Sequence, residues 1–521
     1  MGALSVAHFW HSRFCPADKT CSMGGMKRLI ASAVLLSVMF STGLPLGGTT
    51  TAFAAGGPSS SYRYLKGIGK VNYKTFEDTS RGIVLHDFNG DGYTDVGYGT
   101  GGHCVPGAEC AGNQTKGRAE IFLNDRKGRL NLKTKQAFAG KTLSWKLGEA
   151  LHVAIAYDPK KNGKSTLADI TGDGRADWLL FNSRNTMYPK NTPIIQGKGK
   201  KLKVGPRKSP LITYHSGTLA DIDKDGDLDL VWGNHRTFIS YNNGRGKFTC
   251  KSMIKGRGMV DYPPYKMCFD QLDSNQPVLS PKHGWSYSAL VIDLNKDGLP
   301  EVITANGNGI GPDLKDWYPS ASAKIFVFKN TGGKLDTFKK VQTIPGPGKW
   351  PDQKGRKFSV WAADTQAADL DGDGDLDGLF YHECGDFCSG TNPIVILKNL
   401  GNGKVKRWQI INASPARGSY KSSDYNKACG APQVVDLNGD KRPDLVFNYS
   451  HNYNGSMKDA HKQIWINKGN GKFKRLTTKI FAKVSGNSKK AKIVALHANK
   501  DKKVDWLVIW SDGTYGTLIA R

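Results

Sequence analysis

This chain carries no nucleophile elbow, no phosphate-cradling Walker loop and no HExxH zinc helix. Catalytic classes with a fixed fingerprint are thereby set aside. Its candidate apolar stretch, Leu29 to Phe40, is broken by Ser41 and Thr42 before it reaches the roughly 18 residues that a bilayer anchor needs. Glycine never settles into a three-residue period, which excludes a collagenous chain. Acid is scarce: 45 Asp and Glu stand against 74 Lys and Arg, a formal net charge of +29, so a polyanionic partner has to be considered. Turn formers are plentiful instead. The 62 Gly and 23 Pro among 521 residues are regularly placed, which points to short strands rather than long helices.

From Met26 the chain reads as a secretory signal peptide: cations at Lys27 and Arg28, the apolar stretch, then small residues at Ala52 and Ala54 with cleavage expected after Ala54. Residues 1–25 precede a complete leader and read as an over-extended start, residues 26–54 as the leader, and 55–521 as the folded domain. The expected destination is secreted, periplasmic or cell-surface. Export places the remaining cysteines in oxidising conditions, where the sequence neighbours suggest Cys104 with Cys110 and Cys250 with Cys268. Cys429 competes with Cys384 and Cys388 for the third pairing, which leaves one odd thiol. A zinc site on Cys384 and Cys388 lacks a second CxxC.

Internal repetition is the decisive signal. The chain contains DFNGDGYTD from Asp87, DITGDGRAD from Asp169, DIDKDGDLD from Asp221, DLNKDGLPE from Asp293, DLDGDGDLD from Asp369, DLNGDKRPD from Asp436 and a worn HANKDKKVD from His497. Their starts lie 82, 52, 72, 76, 67 and 61 residues apart, an irregular period that implies one unit with variable loops.

Calcium accounts for the spacing, because a hard cation takes six to eight oxygens and a tight loop can supply them from positions 1, 3, 5 and 9 with a carbonyl from position 7. The expected ligands are Asp87, Asn89, Asp91 and Asp95 in the first loop, and Asp169, Asp173 and Asp177 in the second. They continue with Asp221, Asp223, Asp225 and Asp229 in the third, then Asp293, Asn295, Asp297 and Glu301 in the fourth. Asp369, Asp371, Asp373 and Asp377 follow in the fifth, with Asp436, Asn438, Asp440 and Asp444 in the sixth. Gly at position 6 permits the sharp turn. The last acid falls at position 9 rather than 12, and apolar β-rich sequence follows, such as LVWGN after Asp229, so these are not EF-hands.

A second element repeats downstream. IFLNDRKGRL from Ile121, FISYNNGRGKF from Phe238, IFVFKNTGGKL from Ile325, IVILKNLGNGKV from Ile394 and IWINKGNGKFKRL from Ile464 each read as a β-hairpin. Each unit is then four strands joined by a calcium loop, a variable loop and a hairpin turn, the grammar of one propeller blade.

In these loops and flanking strands the chain resembles the FG-GAP/VCBS repeats of integrin α-chain heads and many secreted bacterial proteins, over nearly all of residues 62–521. The resemblance implies an all-β, seven-bladed β-propeller with calcium between the first two strands of a blade. Two loops depart from the pattern: the seventh has His497 at position 1 and Lys502 at position 6, and the sixth has Lys441 at position 6. The former is expected to lack metal and the latter to bind weakly. Only three strands fit after the seventh loop, so RYLKGIGKVNY from Arg63 is expected to complete that blade and close the ring.

Successive turns in such a blade alternate between faces, which puts the calcium loops on one side and the longest connections on the other. Those connections are residues 99–117, 305–322, 381–393 and 448–461 within blades, and 249–287 and 342–363 between them. They carry rings suited to sugar faces, and Trp285, His283, Tyr287, His215, Trp317, Tyr318, Trp361 and His382 are the expected ligand-binding residues. The bland alternative for any one ring is packing beneath a long loop.

Past residue 54 there are 70 basic and 44 acidic residues, and 24 of those acids sit in the seven loops, so a metal-loaded surface should be strongly positive. The reading is a monomeric, calcium-stabilised binder of extracellular polysaccharide or cell-surface glycan, with no catalytic residues assigned. The alternative is a secreted polysaccharide lyase acting on a uronate polymer, for which His215, His283, Tyr287 and Lys282 are available without a motif that joins them. Nucleic acid suits neither export nor the absence of a recognition module.

Overall fold

The computed structural model describes residues 62–71, 83–100, 116–138, 144–146, 151–153, 155–158, 164–182, 193–198, 201–208, 217–234, 236–248, 270–271, 288–306, 324–332, 338–351, 357–359, 361–383, 393–412, 432–447 and 456–521. The leader and all seven later cysteines lie outside them. Among the described residues no helix is long and apolar enough to cross a membrane.

The fold is all-β, built of antiparallel sheets that follow one another along the chain. The first sheet takes Ile83–His86, Asp95–Thr100, Lys116–Asn124 and Leu130–Leu132, with Ser144–Lys146 added to its third strand. The fourth takes Ala289–Ile292, Glu301–Asn306, Lys324–Lys329 and Lys339–Pro345, the fifth Trp361–Ala368, Asp377–Glu383, Pro393–Asn399 and Val405–Asn412, and the sixth Gln433–Val435, Asp444–Val446, Ile464–Asn467 and Phe473–Arg475. In the seventh, Ala491–Leu496, Asp505–Trp510 and Tyr515–Ala520 are joined by Tyr62–Lys66, which pairs antiparallel with the last strand so that Tyr62 faces Ala520. The strand expected from the N-terminus therefore begins one residue earlier than Arg63.

The second and third sheets depart from the repeated unit. The second runs Leu151–Val153, Trp178–Asn182, Pro193–Lys198 and Lys201–Lys208, while Ile155–Asp158 and Lys164–Thr166 form a hairpin that leaves it. Ile155–Asp158 runs parallel to Gly217–Ala220 and enlarges the third sheet, which continues through Asp229–Asn234, Arg236–Ser240 and Asp270–Gln271 to six strands. The 342–363 connection is likewise shorter than the sequence suggests. Residues up to Pro345 belong to the fourth sheet, and Lys349–Pro351 pairs with Lys357–Ser359.

Across the fourth sheet burial grades from the first strand to the last. In the fourth sheet Ala289–Ile292 is wholly buried, whereas Lys339–Pro345 alternates and exposes Lys339, Val341 and Thr343. The inner strand Ala289–Ile292 thus reads as a continuous apolar run, and outer strands carry cations such as Lys406, Arg407 and Lys474 that blunt an open edge. Among the described residues the core divides into seven clusters, each shared by two sheets. Ile170 and Leu179 of the second unit pack with Leu219 and Trp232 of the third, and Val446 and Ile464 of the sixth with Trp506 and Val508 of the seventh. Val96, Phe122 and Leu130 of the first sheet pack with Leu507, Tyr515 and Ile519 of the last.

Candidate functional site

Every loop is wound around its first and ninth residues. The position 1 carboxylate accepts the amide of position 6: Gly92 donates to Asp87 at 2.7 Å, Gly174 to Asp169 at 2.6 Å, Gly298 to Asp293 at 2.8 Å and Lys441 to Asp436 at 2.8 Å. That turn needs a left-handed residue at position 6. Gly92, Gly226 and Gly374 have φ of 83°, 91° and 85°, and Lys441 and Lys502 are driven to 66° and 64°, where an L side chain is disfavoured. In the seventh loop the His497 imidazole donates through Nδ1 to the Lys503 carbonyl at 3.0 Å, so a ring N–H meets the position 7 oxygen.

Position 9 is the buried hub. Asp95, Asp177, Asp229, Glu301, Asp377, Asp444 and Asp505 are at most 1% exposed. In each, one carboxylate oxygen accepts the amide of position 2, from Phe88 at 2.9 Å to Ala498 at 2.8 Å. In Asp95, Asp229, Asp377 and Asp444 the other accepts the amide that opens the hairpin turn, donated by Asn124, Asn242, Asn399 and Asn467 at 2.7 to 2.9 Å. Burial raises Asp95, Asp229, Glu301, Asp377 and Asp444 to about 7, against the pull of these amides, and Asp177 to about 6. Four of the expected metal ligands at position 9, Asp95, Asp229, Asp377 and Asp444, therefore have a second task that composition did not reveal: they tie loop to hairpin.

The hairpin asparagines tie unit to unit. Through Nδ2, Asn124 donates to the Ala498 carbonyl at 2.7 Å, Asn242 to Ile170 at 2.8 Å, Asn330 to Ile222 at 2.9 Å and Asn467 to Leu370 at 2.7 Å, always the position 2 carbonyl of the preceding loop. Ala498 belongs to the last loop and Asn124 to the first sheet. The signal was present in the sequence as the Asn that recurs at the head of each hairpin turn.

Two loops gather carboxylates closely enough for one cation. Oxygens of Asp221, Asp223 and Asp225 lie within 4.8 Å of one another, as do those of Asp369, Asp371 and Asp373. Asp221 Oδ1 and Asp371 Oδ1 are buried without a hydrogen-bond partner, as are Asp177 Oδ1 and Glu301 Oε1. An all-oxygen donor set with buried orphan oxygens fits a hard cation such as calcium.

Lysines reach the same loops. The Lys398 ammonium is paired with Asp371 and lies 3.0 Å from Asp373, Lys296 reaches across to Asp375, and Lys224 donates to the Asp297 carbonyl at 3.1 Å. Lys500 sits 4.6 Å over the Tyr93 ring. The sequence reading assigned no role to these cations, although Lys398 stands directly before a hairpin asparagine.

Of the expected ligand-binding residues, Trp285, His283, Tyr287, His215, Trp317 and Tyr318 lie outside the described residues, as does Lys282. Trp361 is placed opposite Glu383 at the start of its strand. His382 departs from the expectation of a ligand-facing ring. It is fully buried, its Nδ1–H donates to the Phe380 carbonyl at 2.9 Å, and burial lowers its pKa to about 4, so it presents a neutral ring to the interior.

No family model matches the chain, and no curated protein matches it. Among solved structures, a Photorhabdus luminescens Tc holotoxin pore aligns at 16% identity and TM-score 0.32 over 76% of this chain, which spans 14% of that one. The Dos1 propeller aligns at 8% identity and TM-score 0.35, over 88% of this chain and 95% of that one. A Bacillus licheniformis rhamnogalacturonan lyase aligns at 13% identity and TM-score 0.27, over 84% and 74%. At such scores the function has to be argued from this chain's own residues.

Proposed function

We propose that the chain is an exported, calcium-stabilised seven-bladed β-propeller of the FG-GAP/VCBS kind that binds an acidic extracellular polysaccharide. The seven interunit clusters, the last of them between final and first sheets, favour a closed ring. Calcium would be held in the third loop by Asp221, Asp223 and Asp225, with Asp229 behind them and the Asp227 carbonyl beside them. Bound there, it supplies charge neutralisation and a fixed loop, not chemistry on a substrate.

The observation that carries the binding reading is the segregation of charge. Twenty-four acids are confined to the seven loops, where a cation neutralises them, and the rest of the mature chain has 62 basic residues against 20 acidic ones. Part of that excess guards sheet edges, yet edge protection needs only a few lysines per strand. The test is binding of polygalacturonate and of its neutral methyl ester to the purified protein, in calcium and in EGTA. The expected result is binding of the acidic polymer alone, weakened by salt. Equal binding of both polymers would refute the reading, and accumulation of unsaturated uronide would replace it with the lyase.

A further inference from the structure

We infer that the acidic polysaccharide docks on the seventh loop and the first hairpin turn beside it, with a uronate carboxylate standing where this loop has lost its own acid. This inference rests on the preceding reading of the chain as a binder of acidic polysaccharide. In the other six loops the position 1 carboxylate accepts the position 6 amide, donated by Gly92, Gly174, Gly226, Gly298, Gly374 and Lys441 at 2.6 to 3.1 Å. The seventh loop keeps the winding: Asp505 accepts the Ala498 amide at 2.8 Å, and Lys502 stands at position 6 with φ 64°. Its position 1 is His497, whose Nδ1–H is turned to the Lys503 carbonyl at 3.0 Å. The Lys502 amide therefore finds no carboxylate among the described residues, and a uronate carries the acceptor that is missing.

The loop has also inverted its charge. The third and fifth loops hold five acids each, whereas the seventh holds Asp501 and the buried Asp505 beside Lys500, Lys502 and Lys503. The first hairpin turn lies against it: Asn124 Nδ2 donates to the Ala498 carbonyl at 2.7 Å, and a Cβ at Gly128 would stand 3.7 Å from that of Ala498. This turn brings Arg126, Lys127 and Arg129. Arg126 pairs with Asp91 of the first loop at 3.2 Å and Lys500 lies 4.6 Å over the Tyr93 ring, so the three pieces form one surface. Its six cations meet four acids outside the core, Asp87, Asp91, Asp125 and Asp501, a net +2 that a divalent ion in the first loop would raise to +4. Lys127, Lys502 and Lys503 are exposed, and no acid pairs with them among the described residues. Loss of the metal alone does not account for Lys502, because glycine would fill that left-handed position without strain.

The make-up of the surface selects the class of polyanion. Its unpaired cations include three lysines, point charges without the planar fork that suits phosphate, while the Arg126 guanidinium is engaged with Asp91. Lys500 covers the Tyr93 ring, which leaves that face closed to a stacking base, and the half-buried Tyr93 can bond a sugar through its hydroxyl. A uronate-bearing polysaccharide meets these terms better than duplex DNA.

The experiment measures polygalacturonate binding by the full chain in calcium, comparing the parent with the triple variant Lys127→Gln, Lys502→Gln, Lys503→Gln. A control triple, Lys404→Gln, Lys468→Gln, Lys472→Gln, removes the same charge from other hairpin turns beside the acidic loops. The first triple is expected to bind roughly tenfold more weakly, with a shallower salt dependence, because fewer counterions are released. The control should bind as the parent does. Lys502→Gly separates binding from folding: it removes charge and backbone strain together, so it should melt no lower than the parent yet bind about threefold more weakly. If Lys502→Gly binds as the parent does, if both triples weaken binding equally, or if neither does while the parent binds, the site is refuted and the broader reading survives. If duplex DNA displaces polygalacturonate at fewer charge equivalents, the choice of partner is overturned. A parent that binds no acidic polysaccharide overturns both readings.

Discussion

Replacing Asn467 with alanine strips one side chain from the joint between the fifth and sixth units and leaves three groups unserved. Nδ2 donates to the Leu370 carbonyl at 2.7 Å and the Pro443 carbonyl at 3.1 Å, while Oδ1 accepts the Gly469 amide at 2.9 Å. Asn467 itself is fully buried, so no water replaces it at the two carbonyls. Leaving a buried polar group unpaired costs about 1 to 3 kcal/mol, so two such carbonyls and the small cavity give a loss of roughly 3 to 5 kcal/mol. Unfolding entropy of about 2.1 cal/mol/K per residue over roughly 460 residues is near 1 kcal/mol/K, so the midpoint should fall by about 3 to 5 °C.

Calorimetry on Asn467→Ala beside the exposed turn variant Asn402→Ala isolates the effect. Asn467→Asp sharpens it, because the near-isosteric acid keeps the acceptor for Gly469 but turns an anion toward two carbonyls, and should be at least as damaging. If Asn467→Ala melts like Asn402→Ala, the hairpin asparagine is not a joint and the account of how units are tied together fails.

In excess EGTA, stability should be greatest at the acid end and fall as pH rises from about 4 to about 7. The folded chain keeps protons on Asp95, Asp229, Glu301, Asp377 and Asp444 to about 7, whereas the unfolded chain releases them near 4, so the folded state binds more protons across that window. Urea midpoints across the range read the slope, saturating calcium should flatten it, and a rise in EGTA would contradict the burial argument. Lys398→Met should raise the calcium affinity of the fifth loop in titration calorimetry, since the ion no longer displaces an ammonium from Asp371 and Asp373, and should lower the melting point in EGTA. Unchanged affinity would mean the ammonium and the ion do not compete. Lys441→Gly should stabilise by about 1 kcal/mol in urea unfolding, because position 6 stands at φ 66°, and a loss of stability would show that the lysine side chain earns its strain.

The strands and loops were legible because their determinants are local. A nine-residue loop with Asp at positions 1 and 9 folds on its own side chains, as the Gly92 amide on Asp87 illustrates, and an apolar run such as DWLVIW declares a strand buried on both faces. The fourth strand of the last sheet was legible by counting, because three strands leave an edge open and only the N-terminal segment was unassigned. The hairpin at Ile155–Asp158 and Lys164–Thr166 was not legible, since its parallel pairing with Gly217–Ala220 depends on where another unit stands.

The same distinction governs the site. Position 9 reads as a metal ligand in a single loop taken alone, but its two backbone bonds connect residues 7 and, for Asp95, 29 positions apart, and the second partner appears only when the hairpin folds back. His382 reads as a polar ring in a long connection, yet the antiparallel pairing of its strand with Trp361–Ala368 carries it into the core, where a neutral imidazole bonded to a carbonyl is at home. Lys398 sits three-dimensionally on Asp371 although 27 residues separate them. Charge count gave the excess of cations but not its division: outer strands hold some to guard their edges, and the acidic loops hold others as counter-ions. A net charge is therefore evidence about a partner only after the intramolecular uses of that charge have been subtracted.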